Sequence, residues 1–327
     1  MELRRETDYI LFGYGIDRYS WRGVWWFFLF YFGAFFFAAM LAPIIYLWIQ
    51  GMETPQDPEA LVSYLQSKPV SRYVDRVRLL FVAVGLIWLI AACGLWGRFG
   101  FHWSEGSRRQ LPGFFLAGVL SLGMVVAAQA VFLDPRFEEG TNVTEGLEIV
   151  LGALVAGLLV GWLEEAIFRG MVFRMFYTAV KPLPAVILSA LAFAAVHFKD
   201  VPSGMGVDFH WYSGFLVAGY QSISVFLTVE WLDFANLFLA GVVLNLVFLR
   251  TGSLVPCMGL HAGWVLVRNS WNDLVNIREG GATQFWGSAS IVDGYASLIM
   301  LTGIAIGLYV ETKRHQKSRQ VGLGEVA

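Results

Sequence analysis

The stretch "LGALVAGLLVGWLEEAIFRG", residues 151–170, decides the fold class of this chain. Up to Leu163 it is dominated by small and aliphatic residues, which is typical of a helix that crosses a bilayer. It then places Glu164, Glu165 and Arg169 in the same run. An ionisable side chain within a span costs about 2.5–3.5 kcal/mol on insertion scales. Three such groups therefore indicate buried partners, a wet cavity or a function inside the membrane.

The composition of the whole chain agrees with a membrane protein. Of its 327 residues, 57% are hydrophobic and only 15% are charged, and the mean hydropathy is +0.60. A formal net charge of −2 offers no basic face for phosphate groups, so we expect the lipid bilayer as a partner and no nucleic acid. The two cysteines, Cys93 and Cys257, lie in apolar runs and are interpreted as buried thiols.

Apolar runs of about 20 residues predict an all-α, polytopic transmembrane helix bundle with about eight spans and a polar cavity inside it. The stretch 212–230 is apolar but interrupted by polar residues, and we interpret it as re-entrant or interfacial. The chain 1–327 is expected to form a single membrane domain. Its parts are the N-terminal spans (1–147), a catalytic core (148–271), and a last span with a basic tail (272–327). The predicted spans are 23–49, 79–97, 113–133, 148–175, 183–198, 233–250, 254–271 and 291–310.

The distribution of basic residues predicts the orientation. Each end of the chain carries four Lys or Arg residues, whereas the segment 134–147 carries four acids against one arginine. Because cytoplasmic segments carry an excess of Lys and Arg, both termini are expected to be cytoplasmic. The basic residues in the loop 51–78 argue weakly against this orientation. We expect an integral, multi-pass protein of a bacterial cytoplasmic membrane.

The two adjacent glutamates are expected to have different roles. Glu165 and Arg169 stand four residues apart on one helical face and suit an ion pair, while Glu164 is rotated by about 100° from Glu165. A carboxylate without a local counter-charge is suited to act as a general base. Two histidines, His197 and His261, also lie in apolar runs, and ordinary helix tilts allow them to meet Glu164 inside the bundle.

These residues resemble the motifs of the CPBP family, the intramembrane proteases that include CAAX prenyl-protein endopeptidases and bacteriocin-processing or immunity proteins. The family pattern is EExxxR, then FxxxH, then HxxxN or HxxxD. It matches Glu164, Glu165 and Arg169, then Phe193 and His197, then His261.

The resemblance implies an endopeptidase that hydrolyses peptide bonds of membrane-associated proteins or peptides within the bilayer. Glu164 with His197 would activate a water, His261 would donate a hydrogen bond to the oxyanion, and Glu165 with Arg169 would position the base. The sequence departs from the pattern at Val265, where the family has Asn or Asp. The neighbouring Trp264 carries an N–H donor, but a tryptophan in a span is more often a packing or interfacial group.

Three alternatives remain open from the sequence. Glu164, His197 and His261 match a ligand set for Zn²⁺ in a metalloprotease, although Arg169 nearby disfavours a dication. A non-catalytic scaffold or immunity protein on the same fold would carry the same motifs. A proton-coupled transporter would use Glu164 and His197 as a relay, but it predicts internal repeats, and the sequence shows none.

The orientation gives the first testable prediction. Single cysteines in the variants Gly140→Cys and Gln320→Cys, each in a background free of other cysteines, should react with an impermeant maleimide from opposite sides of the membrane. Labelling of both positions from the same side would contradict an even number of spans.

Overall fold

The protein is described by a computed structural model. The basic residues that precede the first span, and the end of the predicted span 79–97, lie outside the described residues. Described are residues 21–54, 61–93, 105–138, 140–198, 201–202, 205, 210, 212–278 and 280–324.

The described chain is almost entirely helical, with one two-residue strand pair. The elements, in chain order, are α1 (Arg22–Gln50), α2 (Leu61–Gln66), α3 (Val70–Cys93), α4 (Glu105–Phe132), β1 (Arg136–Phe137), α5 (Val143–Ile167), a π-helical turn (Phe168–Val172), α6 (Phe173–Ala179), α7 (Pro182–Ala195), α8 (Ser213–Ile223), α9 (Val225–Thr228), α10 (Trp231–Thr251), α11 (Leu254–Leu274), β2 (Val275–Asn276), α12 (Thr283–Trp286) and α13 (Tyr295–Gly324).

The all-α, polytopic fold class predicted from the sequence is confirmed. Among the described residues, five helical stretches are long and apolar enough to cross a membrane: Arg22–Gln50, Arg109–Phe132, Val143–Ala179, Trp231–Thr251 and Tyr295–Thr312. The other three predicted spans coincide with α3, α7 and α11, which are also helical. The number of eight crossings stays a prediction.

The structure corrects one predicted span. The run 183–198 was expected to be helical to its end, but α7 stops at Ala195, and residues 196–197 form a turn. His197 therefore lies just beyond the helix and not inside it. The sequence "KDVP" at 199–202 follows at once, and its two charged residues and its proline do not favour continuing an apolar helix.

The interrupted stretch 212–230 forms two short helices that meet at Ser224. The longer helix, α8, has 11 residues, which corresponds to about 16 Å of length. Neither helix is long enough to cross a hydrocarbon layer of about 30 Å. Gln221 and Ser224, which interrupt the apolar run, are buried, so their polar groups face protein.

The helices divide into two compact units. The first comprises residues 1–94 and 195–229, and the second comprises residues 95–194 and 230–327. In the first unit, α1 packs against α3 and α8 around a core that includes Phe35, Ala39 and Val74. A Cβ at Gly214 of α8 would overlap the carbonyl oxygen of Ala39, so this contact requires a glycine.

In the second unit, α11 packs along both α4 and α5. Glycines at the contacts allow the backbones to approach closely, as is common between membrane helices. A Cβ at Gly157 of α5 would lie 2.8 Å from the carbonyl oxygen of Ala262, and a Cβ at Gly118 of α4 would overlap that of Leu260. The close packing holds α11 with His261 beside the end of α5.

Helix α5 has a defined beginning and an irregular end. It begins with a capping box, in which Asn142 Oδ1 accepts from the Glu145 amide at 3.0 Å and Glu145 Oε2 accepts from the Asn142 amide at 3.1 Å. It ends in the π-helical turn at Phe168–Val172, which contains Arg169. Such π turns are rare and are frequently found at functional sites.

The glycine contacts predict a contrast between two positions on α4. Gly118→Ala should lower the stability by about 1–3 kcal/mol, because the new methyl group overlaps backbone that cannot move aside easily. Gly123→Ala is the matched control, since nothing lies within 4 Å of a Cβ there, and it should be neutral or slightly stabilising. Thermal unfolding of both purified variants in detergent measures the difference. Equal melting temperatures for the two variants would contradict the packing.

Candidate active site

Glu165 is the most buried acid of the site and bonds two partners through one oxygen. Its side chain is 0% exposed. Its Oε1 atom accepts a hydrogen bond from Arg169 Nη1 at 3.0 Å and lies 2.8 Å from His261 Nδ1. The ion pair with Arg169 agrees with the prediction from the four-residue spacing. The contact with His261 joins two helices and was not predicted.

Arg169 is fixed on several sides by groups of the second unit. Its Nη2 atom donates to the carbonyl oxygen of Gly241 on α10 at 3.2 Å. Its guanidinium lies over the ring of Phe193 at 4.6 Å, a cation–π geometry. At Gly241 a Cβ would stand 3.0 Å from the Cα atom of Ala190, so α10 approaches α7 closely at this point. Arg169 thus has both charge compensation and rigid neighbours.

Glu164 differs from Glu165 in its exposure and in its direction on the helix, as the helical spacing predicted. Its side chain is 26% exposed, and it points away from the direction of Glu165 on the helix. Its Oε2 atom lies 4.0 Å from His261 Nε2. That distance is too long for a hydrogen bond.

His261 stands between the two glutamates. Its Nδ1 atom contacts Glu165 and its Nε2 atom faces Glu164, while its ring meets the ring of Phe193 edge to face at a centroid distance of 6.1 Å. The structure therefore brings together Glu164, Glu165 and His261, with Arg169 and Phe193 behind them. All five side chains belong to the second unit.

His197 is placed differently from the expectation. It lies in the turn after α7, is partly buried, and belongs to the first compact unit. Its part in activating a water stays a prediction from the family resemblance.

The structure shows which group the N–H donor of Trp264 binds. Its indole N–H donates to Ser121 Oγ on α4 at 3.0 Å, and the side chain is buried. Trp264 is therefore a packing group that ties α11 to α4, and its donor is already occupied. Val265 offers no polar atom in place of the family amide.

Other polar residues within spans make contacts between helices, in agreement with a packing role. Asn245 Nδ2 donates to the carbonyl oxygen of Val186 at 3.1 Å. Gln129 is fully buried and donates to the carbonyl oxygen of Trp286 at 2.9 Å. Cys257 is a buried thiol, as expected.

A zinc ion fits the described residues poorly. They contain no group of three or more His, Cys, Asp or Glu side chains that could hold a metal ion. Arg169 already compensates the charge of the buried Glu165 carboxylate.

Comparison with protein families supports the interpretation of these residues as protease-family motifs. Residues 146–267 match the family described as Rce1-like, type II CAAX prenyl endopeptidase Rce1-like. The matched segment contains all the motif residues, from Glu164 to His261. The resemblance to CPBP membrane proteases is thereby confirmed. No curated protein and no solved structure matches the chain.

The buried ion pair predicts a non-additive effect on stability. Glu165→Leu and Arg169→Leu should each cost about 3–5 kcal/mol, because each leaves its partner charged and buried. The double variant should cost much less than the sum of the two. Glu148→Gln, at an exposed position on the same helix, is the control and should change little. Additive costs in a denaturant or thermal unfolding series would contradict the pairing.

Proposed function

We propose that this chain, a membrane protease of the Rce1-like type II CAAX prenyl endopeptidase family, hydrolyses its substrate with a water activated by Glu164. The observation that carries the proposal is the pair formed by Glu164 Oε2 and His261 Nε2, 4.0 Å apart. The pair lies within a unit whose helices include segments long and apolar enough to cross a membrane. Substrates are membrane-associated proteins or peptides.

The chemistry follows from the geometry of the two groups. A water at the partly exposed Glu164 carboxylate attacks the carbonyl carbon of the substrate, and the proton it loses moves to that carboxylate. The tetrahedral intermediate then collapses with cleavage of the C–N bond, and the proton held by Glu164 passes to the leaving amine. Surrounding hydrocarbon strengthens each of these electrostatic interactions.

The substrate class proposed first is a peptide with a prenylated C-terminal CAAX sequence, because the name of the matched family refers to it. Such a substrate is anchored in the bilayer by its lipid, which suits a site built on transmembrane helices. His197 is proposed as a second group that orients the water, on the strength of the family motif.

A second candidate is a non-catalytic membrane protein on the same fold. The observation in its favour is Val265, which stands where the family has an amide, together with the commitment of the Trp264 donor to Ser121. If that amide stabilises the oxyanion in relatives, its loss removes an interaction typically worth about 2.7–4 kcal/mol.

The activity of Glu164→Gln tests the proposed function. Purified protein in lipid vesicles is assayed against a prenylated CAAX peptide and an unprenylated peptide fused to a transmembrane anchor. Glu164→Gln keeps the shape but removes the base, so cleavage should fall by about 10²–10⁴-fold at an unchanged melting temperature. Glu148→Gln, far along the same helix and exposed, should cleave like the wild type.

Three outcomes would contradict the proposal. Full activity in Glu164→Gln would remove the glutamate from the reaction. Wild-type protein that binds these peptides without cleaving them would favour the non-catalytic candidate. Loss of wild-type activity in strong chelators, with recovery on adding Zn²⁺, would restore the metal-dependent alternative.

A further inference from the structure

We propose that an apolar groove between α4 and α13 holds one acyl chain of a bilayer phospholipid, with the phosphate of that lipid at the end of the groove nearest Arg109. The groove belongs to the second unit and encloses about 820 Å³, a volume in the range of ligand sites in proteins. It is separate from Glu164 and His261, so the inference does not rest on the proposed function.

The groove arises from the different partners of its two wall helices. Helix α13 packs mainly along α10, while α4 packs mainly along α11. Leu260 of α11 and Val247 of α10 form the floor and are buried. Leu120 and Met124 of α4 and Ile299 of α13 form the walls, and each of them is more than half exposed. A buried floor between exposed walls opens the groove toward the surroundings of the two helices.

Those surroundings are hydrocarbon, because both walls belong to helical stretches long and apolar enough to cross a membrane, Arg109–Phe132 and Tyr295–Thr312. The lining is almost entirely apolar. Ser121 is a polar exception, and its hydroxyl donates to the Gly118 carbonyl oxygen at 3.0 Å and accepts from the Trp264 indole at 3.0 Å. The groove therefore offers little to water or to a polar ligand, and a hydrocarbon chain is the occupant that its chemistry fits.

Packing holds the chain in place, because a lipid tail gains nothing by moving from one apolar environment to another. A tail on a convex surface touches protein on one side, whereas a tail in the groove touches it on three, and dispersion contacts add up. From Phe114 to Ala128 the lining of α4 rises by about 21 Å. One leaflet contributes about 15 Å of hydrocarbon depth. The bound chain is therefore extended along the groove.

The two ends of the groove differ, and this difference sets the direction of the lipid. At one end α12 contacts both wall helices, its residues Phe285 and Trp286 line the groove, and Trp286 stacks on Phe132 at a centroid distance of 4.5 Å. At the other end Arg109 is exposed and precedes Phe114 by about 8 Å along α4. Arginine is suited to bind phosphate. The headgroup therefore belongs at the Arg109 end, and the methyl end of the chain points to α12.

The proposed occupant is a lipid of the membrane and not the lipid of a prenylated substrate. Leu260 lines the groove, whereas His261, the next residue, faces Glu164. Successive residues of a helix point about 100° apart, so the groove and the pair lie on different faces of α11. A lipid carried by the substrate is expected on the face with Glu164.

Photocrosslinking of the full chain in phosphatidylcholine vesicles tests the site. Two photoreactive phosphatidylcholines carry a diazirine either near the ester or near the methyl end of an acyl chain, and mass spectrometry maps the labelled residues. Labelling of the groove should exceed labelling of the exposed Leu151 and Leu159 of α5 several-fold. The methyl-end probe should label near Met124 and Phe285, and the ester-end probe near Phe114.

A variant that fills the groove should remove this excess. Nothing lies within 4 Å of a Cβ at Gly303, which lines the groove, so the ring of Gly303→Trp can occupy it without a clash. Gly123→Trp is the matched control, because its Cβ also has open space but Gly123 does not line the groove. Both variants should fold, since tryptophan is a better helix former than glycine. The control should be labelled like the wild type.

Equal labelling of the groove and of α5 in the wild type would overturn the proposal, and this measurement needs no variant to fold. A reversed order of the two probes along the groove would overturn it as well, as would an unchanged excess in Gly303→Trp. A prenylated peptide with a photoreactive lipid is the competing probe. If it labels the groove and the phospholipids do not, the groove belongs to the substrate and the proposal is wrong.

Discussion

The contact of one buried carboxylate oxygen with two nitrogen donors is the interaction on which the site depends. Glu165 Oε1 receives Arg169 from its own helix end and His261 from α11. The Glu165 carboxylate or the Arg169 guanidinium alone would be costly to bury in a low-dielectric interior. Together they offset much of that cost, and they specify the register of α5 against α11. The neighbouring Glu164 has 26% of its side chain exposed, and its Oε2 atom lies 4.0 Å from His261 Nε2.

The contact between Glu165 and His261 depends on close helix packing in the second unit. Helix α11 approaches α4 and α5 through glycines such as Gly118 and Gly157, where a side chain would collide with backbone. The π-helical turn at Phe168–Val172 follows the two glutamates directly and carries Arg169. The positioning of the site therefore depends on close helix contacts as much as on the ionisable residues.

The sequence predicted what depends on local spacing. Helical periodicity was sufficient to pair Glu165 with Arg169 and to separate Glu164 from them, and hydropathy was sufficient for the all-α membrane fold. The contact of Glu165 with His261 joins residues 96 positions apart and depends on the relative register of two helices. No periodic pattern within one segment contains that information. The same holds for the bond of Trp264 to Ser121, which removed Trp264 as a candidate donor.

The end of α7 shows a different limit of sequence reasoning. Apolar composition continued to Phe198, but the helix stops at Ala195, four residues before the charged and proline-containing sequence begins at Lys199. This moved His197 out of the predicted span.

The distance between Glu165 Oε1 and His261 Nδ1 in an experimental structure of the full chain in a lipid nanodisc tests the central claim most directly. The account predicts a separation of about 2.7–3.2 Å, with Arg169 on the same carboxylate oxygen and His261 Nε2 turned toward Glu164. A His261 ring turned away from Glu165, with Arg169 paired to Glu164 instead, would contradict it.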